Sequence, residues 1–512
     1  MLFKKLFIVL VVLCVAANAY CGMNDWLAYA NTMSRESIAV DGPDTIDNNT
    51  LEWVADADPQ DPNYYICFEG VTQPIVYNGR VYAYAAYFEP NEQSPYGRDY
   101  TNSQIIAYDA NSGEMRWNTV IDPAVWGSWS SPAVDAKNNN ILMPSGDKVY
   151  AIDASTGAIK WLTQLEKSVV NASACVAADL PYVRAFITDY AYSAGGKLYC
   201  INLDANEPNN PYEPGEIIWS DILGATCGNS PAYKDGVVYV SSNSGSVYAY
   251  NADAGTAVRI WETTDPNFYG FSSGVTVTKE GFLYAANFDW DLYGEDNSAL
   301  CKIDCSDGNI VWIIFTERTS TIPVVAGDKI YISGGLILDG WDLGSRPKVE
   351  AYQDLGSTVV KLWETPADMA IGGWSGQPVY ANGKLYIGAI PLTGDYFGSY
   401  TELYILDVAA DVNSSDFVMA YYTDQWCGNS PAVTYDSLYT IGDDGLFKFH
   451  QPAFLADINK DSEVDFYDLA ELAVNWLFDG PVGVNRADLN LDGKINFTDF
   501  SLLADSWYGN LD

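Results

Sequence analysis

A four-part unit recurs along most of the 512-residue chain, and this recurrence constrains the fold more than any other feature. One copy runs Ser230-Pro231-Ala232-Tyr233, then Val237 to Ser241, then Ser246 to Asn251, and ends on Gly255 and Trp261. An earlier copy runs from Ser131-Pro132-Ala133-Val134 through Val149-Tyr150-Ala151-Ile152-Asp153 to Gly157 and Trp161. Each unit is four short alternating runs separated by Gly, Asn and Asp turns, the pattern of a four-stranded antiparallel meander. Eight first strands can be counted, beginning near Gln73, Ser131, Ser173, Ser230, Ser273, Ile322, Gln377 and Ser430. Most fourth strands close with a Trp: Trp117, Trp161, Trp219, Trp261, Trp312 and Trp363. The seventh ends on Tyr421 and Tyr422, and the eighth stops after its third strand near Phe449. A matching fourth strand, Thr50 to Val54 with Trp53, sits at the other end of the chain. A ring closed by its N-terminal strand accounts for both facts, because closure removes exposed sheet edges.

The expected fold is therefore an all-β eight-bladed β-propeller over residues 20–452, followed by a small α-helical module over 453–512. The 37 Tyr and 16 Trp suit strands. A net charge of −41 repels nucleic acid and anionic membranes and attracts cations. Residues 1–19 read as an export signal: Lys4 and Lys5, the apolar run Leu6 to Ala16, and a small-x-small site at Ala17-Asn18-Ala19. No later run is long enough to span a bilayer, so a secreted or cell-surface-associated protein is expected. Cys21, Cys67, Cys175, Cys200, Cys227, Cys301, Cys305 and Cys427 remain after cleavage. Their even number permits disulfides without giving their pairing.

Two copies carry a resemblance: Ile106-Ala107-Tyr108-Asp109 with Gly113 and Trp117, and Val149 to Asp153 with Gly157 and Trp161. This pattern resembles the pyrroloquinoline-quinone-type repeat of the quinoprotein-dehydrogenase-like propellers, over roughly residues 24–452. The resemblance implies that each repeat Trp docks one blade on the next. It leaves function open, since enzymes and binding scaffolds share this fold. The quinoprotein dehydrogenases carry adjacent cysteines beside their cofactor. This chain has no such pair, so no quinone is expected.

After Pro452 the pattern changes. Asp457, Asn459, Asp461, Asp465 and Asp468 occupy positions 1, 3, 5, 9 and 12 of one loop, with the Glu463 carbonyl at position 7. Asp488, Asn490, Asp492, Asn496 and Asp499 repeat the spacing, with the Lys494 carbonyl at position 7. Hard Ca2+ takes six to eight oxygen ligands from one tight loop of this kind, so two calcium sites are expected. Each loop leads into a short helix, and Leu472, Ala473 and Trp476 match Leu503, Ala504 and Trp507. The first three are expected on one face, with both Trp buried where the halves meet. The duplicated loop-helix resembles a dockerin over residues 455–510, which implies calcium binding and a cohesin-like partner. Ser462 stands where Gly usually makes the sharp turn. Phe466-Tyr467 and Phe497-Thr498 occupy positions that some cohesins read as Ser-Thr.

No catalytic residue can be assigned. The sole histidine, His450, ends the last blade and reads as structural. Topology instead gathers aromatics on one face, where fourth-to-first and second-to-third loops emerge together. Trp126, Trp129, Tyr269, Trp374 and Trp426 come from the first kind of loop, and Trp290 and Trp341 from the second. Such rings among carboxylates and amides suit glycan or protein ligands, or else pack between blades. The expected function is a non-catalytic binding or scaffold propeller, tethered through the tail to a cohesin-like domain or another surface protein. The alternatives are an extracellular quinoprotein or polysaccharide-active enzyme, and a structural surface-layer or matrix protein.

Overall fold

The computed structural model describes residues 25–58, 61–68, 71–87, 103–265, 268–270, 272–289, 298–336, 345–390, 400–423, 427–442, 445–451, 456–458, 464–480, 482, 485–490 and 492–509. The chain forms an eight-bladed β-propeller with two small helices in its tail. Blades 2 to 6 are four-stranded sheets in sequence order, each strand antiparallel to the next. Blade 8 is built from Ala432–Val433, Ser437–Gly442 and Gly445–His450, with Leu51–Ala55 as its outer strand. Leu51 faces Phe449 and Ala55 faces Leu446 in that antiparallel pairing. Blade 1 is larger, because Ala57–Asp58 and Asp61–Phe68 extend its sheet alongside Arg80–Tyr87.

The residues that open each unit build a hydrogen-bonded hoop around the axis. The Gln73 amide donates to Ser131 Oγ (2.9 Å), Ser131 to Ser173 Oγ (2.8 Å) and Ser173 to Ser230 Oγ (2.9 Å). The Ile322 amide donates to Gln377 Oε1 (2.9 Å), and the Gln377 amide to Ser430 Oγ (3.0 Å). Ser430 Oγ then donates to the Val71 carbonyl beside blade 1 (2.8 Å), closing the hoop. The side chains of Ser131, Ser173, Ser230, Gln377 and Ser430 thus each satisfy a buried amide of the preceding unit start, while the Ser230 and Ser273 amides donate to the main-chain carbonyls of Ser273 (3.0 Å) and Ser320 (2.8 Å).

At the outer radius the repeat Trp and the repeat Gly of adjacent blades meet. Trp53 lies against Gly113, Trp117 against Gly157, Trp161 against Gly215 and Trp261 against Gly308. These glycines have φ between +70° and +85°, a conformation that suits only Gly well, and a Cβ there would stand 2.7–2.8 Å from the indole. The indole N–H of Trp53 donates to the Ala110 carbonyl (3.2 Å), and that of Trp117 to Ala154 (3.2 Å). Blade-to-blade docking by the repeat Trp follows directly from this geometry.

One element has no counterpart in the repeat pattern. Residues 25–39 run along the inner edges of the blades. Trp26 exchanges two main-chain hydrogen bonds with Val76 of blade 1, at 2.7 and 2.9 Å. The Leu27 carbonyl accepts from Val134 (2.9 Å), Met33 from Tyr233 (2.7 Å), Ser34 from Val277 (2.9 Å) and Ser37 from Tyr380 (3.0 Å). Ile38–Ala39 then adds as a parallel strand beside Val379–Ala381 of blade 7.

Candidate functional site

The tail folds around a core of Ile458, Val464, Leu472, Leu489, Ile495 and Leu503. Helix α1 (Phe466–Val474) begins at Asp465, whose carboxylate accepts from the Tyr467 amide (2.7 Å). The Asp468 carboxylate reaches back to accept from the amides of Asp465 (2.8 Å) and Ile458 (2.7 Å). Helix α2 (Phe497–Gly509) repeats the arrangement: Asn496 accepts from Thr498 (2.8 Å), and Asp499 from Asn496 and Leu489 (2.8 Å each). The duplicated spacing in the sequence is therefore a duplicated set of contacts. The shared helical face is narrower than its spacing suggested. Leu472 is buried, but Ala473 is exposed and Trp476 only half-buried, with its ring edge-on to Phe497 at 5.1 Å. Phe497 covers that ring from the start of α2.

In the second loop Asp488 lies at the centre. Its carboxylate accepts from the amides of Asp492 (3.1 Å) and Gly493 (2.8 Å), while Asp492 accepts from Lys494 (2.8 Å). Gly493, at φ +72°, makes the turn. Burial, and next the neighbouring Asp499 carboxylate, push the Asp488 carboxyl up to about 7. Burial also raises the Asp499 carboxyl, and two buried carboxylates side by side fit a hard cation, which would relieve their desolvation. In the first loop Asp457, Asp465 and Asp468 are described, and the Asp457 carbonyl accepts from Arg486 (3.2 Å). Asn459, Asp461 and Glu463 lie outside the described residues. Among the described residues no three acidic, His or Cys side chains converge on one point.

The tail rests on the propeller. Lys279, in the turn between the first two strands of blade 5, donates to Asp479 Oδ1 (2.6 Å) and to the carbonyls of Gly493 (2.7 Å) and Gly480 (3.1 Å). Arg486 lies 3.8 Å from Asp41, which itself pairs with Lys384 of blade 7 at 2.7 Å. Lys279 lies in a first-to-second turn and Lys384 opens the strand just after another, so the tail covers that face. Phe466, Tyr467, Val474, Leu477 and Phe497 remain exposed on it.

The aromatics divide. Trp126 and Tyr269, on fourth-to-first connections, are 74% and 58% exposed on the face opposite the tail. Trp126 holds φ +57° and sets its ring edge-on to Tyr190 at 5.1 Å. Trp374 does not belong with them: it is only 6% exposed and packs against Phe288 (5.2 Å) and Trp129 (5.8 Å). A loop ring that meets loops from across the hoop becomes core, and Trp129 is half-buried by the same contact. Trp290, Trp341 and Trp426 lie outside the described residues. His450 bonds with Ser437 Oγ (3.2 Å) at the end of blade 8.

The hoop, the Trp-Gly docking and the duplicated loop-helix define the class: a propeller of PQQ-type repeats joined to a dockerin module. Comparisons with known proteins agree in both parts. Residues 67–210 match the PQQ_2 family, described as outer membrane protein assembly factor BamB, and residues 455–506 match the dockerin type I domain. Outer membrane protein assembly factor BamB of Shewanella oneidensis is 31% identical over 77 residues, 15% of this chain and 20% of that protein's length. A europium-containing methanol dehydrogenase superposes with a TM-score of 0.52 at 12% identity, covering 81% of this chain and 89% of that one. A quinohemoprotein alcohol dehydrogenase from Pseudomonas putida gives 0.52 at 12%, over 94% and 88%. At such identity the structural likeness is one of fold. Among the described residues no helix is long and apolar enough to cross a membrane.

Proposed function

We propose that this protein is a secreted, non-catalytic propeller, tethered by a calcium-loaded dockerin module to a cohesin-bearing surface or complex. Its free aromatic face would bind glycan or protein. The observation that carries the reading is the separation of the two faces. The tail sits on the first-to-second turns through Lys279 and Arg486, and Trp126 and Tyr269 stand exposed on the opposite side. A tether attached that way leaves the ligand face outward.

Asp457, Asn459, Asp461, Asp465 and Asp468 with the Glu463 carbonyl would hold one Ca2+. Asp488, Asn490, Asp492, Asn496 and Asp499 with the Lys494 carbonyl would hold the other. Bound calcium supplies positive charge that lets each acidic loop close on its helix. The exposed Phe466, Tyr467 and Phe497 at the two helix starts give an apolar docking surface, where aromatic anchors contribute most of an interface's energy.

Calorimetric titration of calcium into the full chain, repeated with Asp457→Ala and Asp488→Ala, tests the module. Each substitution should remove one of two sites. A cohesin type I domain should then bind the wild type in calcium and release it in chelator. No calcium uptake, or cohesin binding unaffected by chelator, refutes the tether.

A further inference from the structure

The innermost strand of every blade is a sheet edge facing the axis, and its amides and carbonyls need partners. Here residues 25–39 supply them, blade after blade, and one of these residues is an arginine with no exposed surface. Arg35 donates from Nε to the Pro231 carbonyl (3.0 Å) and from Nη1 to Tyr29 (2.7 Å). Its Nη2 donates to the carbonyls of Ser173 (3.2 Å) and Ala174 (2.8 Å). Only a planar guanidinium offers enough donors in a fixed fork to serve carbonyls from two blades and the segment itself. Tyr29 and the Ala30 amide reach the hoop directly, at Gln377 Oε1 (3.1 Å) and Gln73 Oε1 (2.7 Å).

The segment is bent to fit. Ala30, Asn31, Arg35 and Ser37 all hold φ between +54° and +66°, four left-handed non-glycine residues within eight positions. Backbone of this kind persists only where the surroundings over-determine it. Nearer the opposite face, Trp129 and Trp374 meet at an interplanar angle of 79°, and Phe288 packs on Trp374 at 57°. Among the described residues, rings tilted against each other in this way offer no parallel slot for a flat cofactor.

From these two layers we infer that the axial channel is a peptide-accepting site filled in cis by residues 25–39 with Arg35 as its anchor, and therefore closed to a quinone or other cofactor. The mode is strand addition to exposed edges. The inference rests on the non-catalytic reading and deepens it, but the two fail separately: loss of calcium or cohesin binding leaves the plug untouched.

Hydrogen exchange on the full chain, wild type against Arg35→Ala, tests the plug. The amides of Val134, Tyr233, Val277 and Tyr380 should be protected in the wild type. In the variant they should exchange at least about tenfold faster, while the outer strands stay unchanged. Equal exchange in the two proteins overturns the anchor. Should Arg35→Ala fail to fold, Arg35→Lys, which keeps the charge but not the fork, is read the same way. In parallel, pyrroloquinoline quinone is titrated into the wild type and followed by its absorbance and by Trp quenching. No saturable uptake is expected, and stoichiometric uptake overturns closure of the axis.

Discussion

Replacing Gly157 by Ala separates blade docking from backbone strain. Gly157 holds φ +76°, and an added Cβ would stand 2.7 Å from Trp117 Cδ2 and 2.8 Å from Cε3. Gly236 holds φ +81°, with nothing within 4 Å of the same added atom. Both substitutions place Ala in the left-handed region, at a cost of about 1–2 kcal/mol, and both stiffen the unfolded chain alike. Only Gly157→Ala also overpacks a ring fixed at its far side by the indole hydrogen bond to Ala154, which adds about 1–3 kcal/mol. Equilibrium urea unfolding of the two variants should therefore differ by that second amount, with Gly157→Ala the less stable. Adding Trp117→Ala to each should bring the two penalties together, because the clashing ring is gone. Equal destabilisation of the single variants would refute the claim that the repeat Gly exists to receive the preceding blade's Trp.

Other consequences can be measured on the same protein. Burial pushes the Cys175, Cys200 and Cys301 thiols up to about 12, so a thiol reagent at pH 8 should leave them unmodified until denaturant is added. Rapid native labelling of Cys175, which lies beside Arg35, would show an opened channel. The Arg116 hydrogen bond holds the Asp109 carboxyl at about 2, below its ordinary 3.8. A depressed pKa gives stability that is present above the unfolded value and is lost as pH falls from about 4 to about 2. Arg116→Met should flatten unfolding against pH within that window alone, and only slightly, because the pair is partly exposed and screened by salt. Lys279→Ala should loosen the tail without removing a calcium site. Faster exchange at residues 477–480 and 493–495, with unchanged calcium stoichiometry, is expected, and loss of one site would refute it.

The repeat was legible because its chemistry is local. A Ser or Gln at most unit starts, a Gly in the last turn and a Trp in most last strands perform the same contact in several blades, so spacing alone carries it. The tail was legible for the same reason, since Asp468 and Asp499 make matching bonds on matching amides. Residues 25–39 escaped because they form no regular element except two residues of strand, and their partners lie on different blades. Whether Trp374 faces solvent or packs between blades was not legible, because a loop residue's burial depends on loops arriving from across the ring. No one-dimensional pattern encodes that meeting.

The N-terminal strand and the segment before it have opposite jobs in closure. Leu51–Ala55 removes the outer edge of blade 8 and carries Trp53 onto Gly113, which seals the ring from outside. Residues 25–39 pair the inner edges and seal it from within. Asp41 joins the two regions to the tail, pairing with Lys384 and standing next to Arg486. One stretch of about thirty residues thus couples axis, perimeter and tether, although the repeat pattern includes only its last strand. Trp126, on the face opposite the tail, shares none of these contacts: it holds a left-handed backbone and touches Tyr190 edge-on.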